Sequence, residues 1–576
     1  MLNMIRSRKI LNIIVGALKT RIELKLFKYS KKMLNTLNIT QEDFEQFITL
    51  KELNSKFNLD IKDIDIKELN LGNKNLDNAI LEYLTKIKFN KLKILIFKKN
   101  NISDITELGS AKFAKLEQLE LSENNISYID ILEKVKFKEL KELKLLTNNI
   151  SDINGLENTK FEKLEELELS GNNISNIDIL EKVDYPKLIK LSLLGNNISD
   201  INVLEKVKFE KLEFLNLGMN NISNIDILEK VNFRELKELY LFKNNISDIQ
   251  VLEKVNFEKL EKFDLSMNYI SNIDIFEKVN FKELKELTLV QNHISDIKVL
   301  EKVKFEKLED LDLGMNNISN IDVLEKVNFK KLKNLSLHTN NISDIKVLEK
   351  VKFEKLFRLD LSMNNISNID IFEKVNFKEL ARLCLFNNNI SDINVLGKAK
   401  FEKLEFLNLG MNNISNIDVL EKVNFKELTR ICFFKNNISD INVFEKVKFD
   451  KLEFANLGMN HISSIDVLEK VNFQELKELN LVKNNISDIK VLEKVKFEKL
   501  NELDLSMNNI SNIDVLEKVN FKELKSLGLH TNNISDIKVL EKVNFEKLES
   551  LDLENNKIDL KQIKLILPKM KSILKI

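Results

Sequence analysis

Four histidines and two cysteines are the side chains in this chain best suited to metal binding or nucleophilic chemistry. His293, His338, His461 and His530 lie far apart, and none stands at ligand spacing from a Cys, Asp or Glu. His293 and His461 replace the second Asn of the repeat, which reads as a solvated turn. No phosphate-cradling glycine loop, dinucleotide glycine pattern, nucleophile elbow or paired-histidine zinc motif occurs. Carboxylates abound but recur monotonously, so no acid–base pair stands out. The sequence therefore assigns no catalytic, cofactor-binding or metal-binding residue and points away from an enzyme.

The composition excludes further classes. The 90 Lys+Arg balance 90 Asp+Glu, whereas a nucleic-acid binder normally carries a net basic footprint. Hydrophobic residues reach 43%, too many for a disordered chain. No uncharged apolar run is long enough to span a membrane. Two cysteines exclude a disulfide scaffold.

What the chain does repeat is asparagine. In a frame of 24 residues that never slips, Asn occupies positions Asn100, Asn124, Asn148, Asn172, Asn196, Asn220, Asn244, Asn268, Asn292, Asn316, Asn340, Asn364, Asn388, Asn412, Asn436, Asn460, Asn484, Asn508, Asn532 and Asn556. Ile follows two residues later in all 20 units. Before the Asn, Leu215 and Leu217 alternate with Phe214, Asn216 and Gly218, which reads as a strand with one buried face. After it, Ile222, Ile225, Leu228 and Val231 are spaced by three, suiting a tight turn and a short helix. Asp226 and Glu229 read as a helix start with reciprocal side-chain capping. Thirteen residues after the Asn comes Phe in 18 of 19 places and Tyr185 in the other, so a stacked aromatic spine is expected. A unit this short cannot bury its own apolar edge, so neighbours must stack. The frame Asn is expected to turn inward and bond loop backbone of its own and adjacent units, forming a ladder.

The pattern L-x-x-L-x-L-x-x-N-x-I resembles the leucine-rich repeat family over about residues 66–558. Its N-x-I-x-x-I-x-x-L continuation is most similar to the phosphatase-regulatory and internalin-type subclass, whose unit is about two residues shorter. The segment Val-Asn/Lys-Phe lengthens the return here. The resemblance implies an α/β solenoid: a right-handed horseshoe or arc with a parallel concave β-sheet and short helices or turns on the convex side. It implies a non-catalytic protein-interaction scaffold with the concave face open to a partner, and it leaves a phosphatase-regulatory role as an alternative.

Outward strand positions vary where the frame does not. The pair before the Asn alternates between Gly/Ser-Met, as in Gly218-Met219, and a bulkier pair, as in Phe242-Lys243, giving a working period of 48. The methionine stripe reads either as strand-edge packing or as an adaptable apolar strip. Candidate partner-binding residues on the concave face are Phe214, Tyr240, Phe242, Val290, His338, Phe357, Arg358, Arg382, Phe386, Phe406, Arg430, Phe434, Phe454 and His530. Cys384 and Cys432 fall on the same face two strands apart, too far for a disulfide. As two exposed free thiols they suggest a reducing compartment, so a cytoplasmic location is expected, with the nucleus open. Sixteen units carry Asn-Ile-Ser, formally a glycosylation acceptor but better read as turn chemistry.

The ends differ. Residues 1–32 hold nine Lys/Arg against Glu23. The spacing Ile10, Leu11, Ile14, Leu18, Leu24, Leu26, Tyr29 is similar to the F-box, a helical module that docks ubiquitin-ligase adaptors. A helical cap, a signal peptide and a membrane-surface or targeting helix stay open for the same residues. The expected organisation is a basic helical module or cap over 1–60, about 21 units over 61–558, and a C-terminal cap over 559–576. The expected partners are proteins, with an adaptor docking the N-terminal module as the substrate-receptor alternative. A monomer with no nucleic acid, cofactor or membrane span is expected.

Overall fold

The computed structural model describes residues 40–543, 545–564 and 574–575. The chain divides into two compact units, residues 1–269 with 279–281, and residues 270–278 with 282–576. The F-box-like spacing lies outside the described residues.

The first unit opens with helix α1 (Gln41–Phe57), which buries Phe44, Phe47, Leu50 and Leu53 and packs on the short helix α2 (Ala79–Leu84). Nine strands follow, from Glu68–Asn70 to Lys262–Asp264. Each is three residues long; the first pairs in parallel with its neighbour 26 residues on, Leu69 with Leu95, and those after it at 24, for example Leu215 with Leu239. The second unit carries thirteen described strands, from Glu286–Thr288 to Leu574–Lys575, in the same 24-residue register until the last, where Leu551 pairs with Leu574. In both units the middle strand residue is buried and its two neighbours look outward. The strand stays short because the chain turns at once. The residue just before the frame Asn has a left-handed backbone, as at Met219 (φ 54°) and Met363 (φ 56°).

After the first repeat, which carries α2, the opposite side of the repeats from Thr106 to Glu541 is a lone 3-10 turn, such as Asp226–Glu229. The expected capping box is absent there. Asp226 N instead donates to Asn224 Oδ1 (2.7 Å), and Asn224 Nδ2 donates to Asp226 Oδ2 (3.1 Å). Alternate units use Asp for the same job, with Gln250 N donating to Asp248 Oδ1 (2.9 Å). A four-residue turn is too short to fold Glu229 back, and Glu229 pairs forward with Lys254 (3.0 Å). Such exposed Lys–Glu pairs recur from unit to unit and contribute little each.

The core is one continuous stripe in each unit. Leu, Ile and Val of successive repeats are almost wholly buried, as are the spine phenylalanines up to Phe521, and spine rings stack at Phe113 and Phe137, centroids 6.2 Å apart, and at Phe161 and Tyr185, 6.3 Å apart. Tyr185 keeps its place in the spine because its hydroxyl sits 2.6 Å from Thr159 Oγ1, where most other units carry Val. Thr159 Oγ1 in turn donates to Leu156 O (2.7 Å), so the buried polar pair is satisfied.

Each frame Asn is a three-way tie. Asn340 Nδ2 donates to Leu313 O of the preceding repeat (3.0 Å) and to Leu337 O of its own (3.1 Å). Its Oδ1 accepts from Ile318 N (2.9 Å). Asn172 repeats the arrangement in the first unit. Only a side chain with both a donor and an acceptor on a short stem can do this.

Candidate binding face

The strands leave one sheet face uncovered by the chain's own described residues. Parallel sheets are usually covered on both sides, so an open face invites a second molecule. The outward side chains line up in columns, because register pairing places equivalent residues about 4.8 Å apart.

The bulky half of the alternating column is partly a packing device. A Cβ placed on Gly218 would lie 2.5 Å from the Phe242 ring, and one on Gly314 would lie 2.2 Å from His338 Nε2. At Gly218, Gly314 and Gly458 the large residue of one strand leans over the small residue of the strand before it, and at Gly410 Phe386 leans in from the strand before. Two large residues in succession would compete for that space. The 48-residue period thus has a steric origin, and Phe242, Val290, His338, Phe386, Phe434 and His530 are half-buried. His338 and His530 also bond the neighbouring Thr hydroxyl at 3.0 Å.

The strand column proper is different. In the first unit Phe214 and Tyr240 form a ring pair 5.4 Å apart, with Lys190 Nζ 5.3 Å from the Phe214 centroid. The Tyr240 hydroxyl donates to Glu238 (2.7 Å). In the second unit Arg358, Arg382, Phe406, Arg430 and Phe454 follow one another in register. Phe357 is 42% exposed and all three arginines are exposed. The Arg430 guanidinium lies 4.2 Å from the Phe454 ring centroid, a stacked cation–π contact. Arg358 pairs with Asp360 at 3.0 Å. Asp360 was not singled out from the sequence, although the spacing Arg358-x-Asp360 places both on one strand face.

The thiols correct an expectation. Cys384 is only 8% exposed and Cys432 is half-buried, so they are not two exposed thiols. Cys384 stands between Asp360 and Asn408 in register, and these close neighbours crowd its short side chain. Burial, with help from Asp360, pushes the Cys384 thiol up to about 12, and burial also raises Cys432. The compartment inferred from exposed thiols loses that support.

Two acidic stretches also lie on this face of the second unit and were not anticipated. Asp310 is held above the usual carboxylate range by burial, with Asp312 and Glu286 adding to it. Glu502 is raised by burial and by Glu478 and Asp504. Among the described residues no cluster of three or more His, Cys, Asp and Glu could hold a metal ion. Among them, no helix is long and apolar enough to cross a membrane.

No protein-family model matches the sequence, and no curated protein matches it. Solved structures do. A leucine-rich-repeat protein of Leptospira interrogans is 20% identical, with 70% of this chain and 93% of that chain covered at a TM-score of 0.51. The plant peptide hormone receptor RGFR1, in complex with RGF2, is 19% identical over 89% and 95% of the two chains, also at 0.51. This chain has the leucine-rich-repeat fold. An internalin from Listeria monocytogenes is 26% identical over 64% and 95%, at a TM-score of 0.46. The leucine-rich-repeat solenoid accounts for the short parallel strands, the lone 3-10 turns and the inward asparagines together.

Proposed function

We propose that this leucine-rich-repeat chain is a non-catalytic scaffold that binds a protein partner on its open sheet face. One observation carries the reading. The row Arg358, Arg382, Phe406, Arg430, Phe454, with its arginines exposed and its two phenylalanines half-buried, lies outside the core, while arginine and aromatic side chains are the usual anchors of protein interfaces. A plant receptor of the same fold, captured with RGF2, lends the reading context without deciding it. A photo-crosslinking residue at Phe406 tests it, with one at exposed Lys352, outside the strands, as control. Adducts with a discrete protein from Phe406 alone are expected in cell extract. Adducts from Lys352 alone, or the same from both, would overturn the reading. The substrate-receptor and phosphatase-regulatory alternatives rest on undescribed residues and on resemblance, and neither is proposed.

A further inference from the structure

Arginine is rare in this chain. Only seven of the 90 basic residues are Arg, and four of them lie beyond residue 39. Three of those four, Arg358, Arg382 and Arg430, occupy the same outward position of strands Arg358–Asp360, Arg382–Cys384 and Arg430–Cys432. Lysine would serve a merely solvated position. The guanidinium differs by its planar fork, which grips a carboxylate with two bonds and stacks on rings.

Many of the chain's lysines are paired with Glu from unit to unit. Of the three arginines only Arg358 has an ion pair, with Asp360. Arg430 is stacked on Phe454 rather than paired, and Arg382 stands between Arg358 and Phe406 in register. The carboxylates one residue ahead of these strands are Glu405 and Glu453, and Glu453 is taken by Lys477 (2.9 Å). Arg382 and Arg430 are two strand spacings apart, about 10 Å, with Phe406 between them.

We propose that strands Arg358–Asp360 to Phe454–Asn456 dock an extended acidic segment of another protein. Its carboxylates engage Arg382 and Arg430, and an apolar or aromatic side chain rests on Phe406 between them. This rests on the protein-binding reading above and adds the chemistry of the partner. A long polyanion such as nucleic acid fits less well. Asp360 and Glu405 lie within the stretch, and Glu478, Glu502 and Asp504 carry negative charge on the strands that follow it, so a continuous row of phosphates meets repulsion on that side. A short segment can set its few carboxylates over Arg382 and Arg430 and end before Glu478, Glu502 and Asp504.

A fluorescent random copolymer of glutamate and tyrosine, titrated with the full chain at low salt, tests the proposal. Saturable binding is expected, weakened about tenfold by Arg382→Gln and by Arg430→Gln, and retained by Arg234→Gln, an exposed arginine outside the strands. All three sites are exposed, so melting temperatures should match and a folding defect would be visible. No copolymer binding, equal binding by all variants, or tighter binding of heparin or oligothymidylate overturns the proposal. So does loss of binding by Phe214→Ala with Tyr240→Ala but not by the arginine variants. Crosslinking from Phe406 separates the two readings. Adducts there without copolymer binding would leave the scaffold standing and remove only the acidic segment.

Discussion

Strands Glu142–Lys144 to Lys190–Ser192 and strands Arg358–Asp360 to Phe454–Asn456 share backbone, register and open face but treat charge in opposite ways. In the first stretch Lys144 lies between Glu142 (2.8 Å) and Glu166 (3.6 Å), and Lys190 closes on Glu166 at 2.9 Å. The side chains satisfy one another and leave little to offer. In the second stretch two guanidinia remain without a carboxylate, among rings and neutral Asn and Cys. The frame is common property, and the outward residues alone decide where the molecule can hold something.

The largest effect tests whether the frame really is common. Asn172→Ala and Asn340→Ala each strand two carbonyls and an amide in the interior, and each should cost about 3 kcal/mol locally. Hydrogen exchange of the flanking repeats would report both, and clearly unequal costs would break the comparison. Next comes the left-handed residue before the Asn. The first unit has Gly195 there (φ 65°), the second Met363 (φ 56°). Met363→Gly should add about 1 kcal/mol of stability and Gly195→Met should remove as much, read from denaturation midpoints.

Acid should separate the two units. Lys141 and then Lys93 hold the Glu117 carboxyl down to about 2, below its unfolded value of 4.5. Its contribution is therefore present above that unfolded value and disappears as pH falls from about 4.5 through about 2. Glu502 is raised, first by burial, so its charged form is a burden that acidification relieves. Glu117→Gln should blunt the acid loss, whereas Glu502→Gln should slightly raise stability at neutral pH. Equal acid responses of the two variants would contradict the assignment. The smallest effect concerns the thiols. With its pKa raised to about 12, Cys384 should react with a maleimide far more slowly than a free thiol near neutral pH. Half-exposed Cys432 should react faster than Cys384, and rapid labelling of Cys384 would show that the second stretch is looser than described.

Much of this was legible beforehand because the repeat repeats. Strand, turn, spine and inward Asn each follow from a position occupied by one residue type over many copies. The capping box was misread at Asp226 because a pattern of Asp and Glu three apart says nothing about turn length; only the 3-10 geometry shows Asn224 taking the role. Thr159 escaped notice because its partner Tyr185 lies 26 residues away, and only stacking brings the two hydroxyls together. Cys384 was placed on the correct face but with the wrong exposure, since alternation gives direction and not crowding.

The sequence by itself determined the period, the buried stripe and which residues point outward, because these depend on local alternation and on a unit too small to fold alone. The tertiary structure decided which outward residues remain available. Exposure and charge compensation are set by neighbours 24 residues away, and those become neighbours only when the strands stack in register.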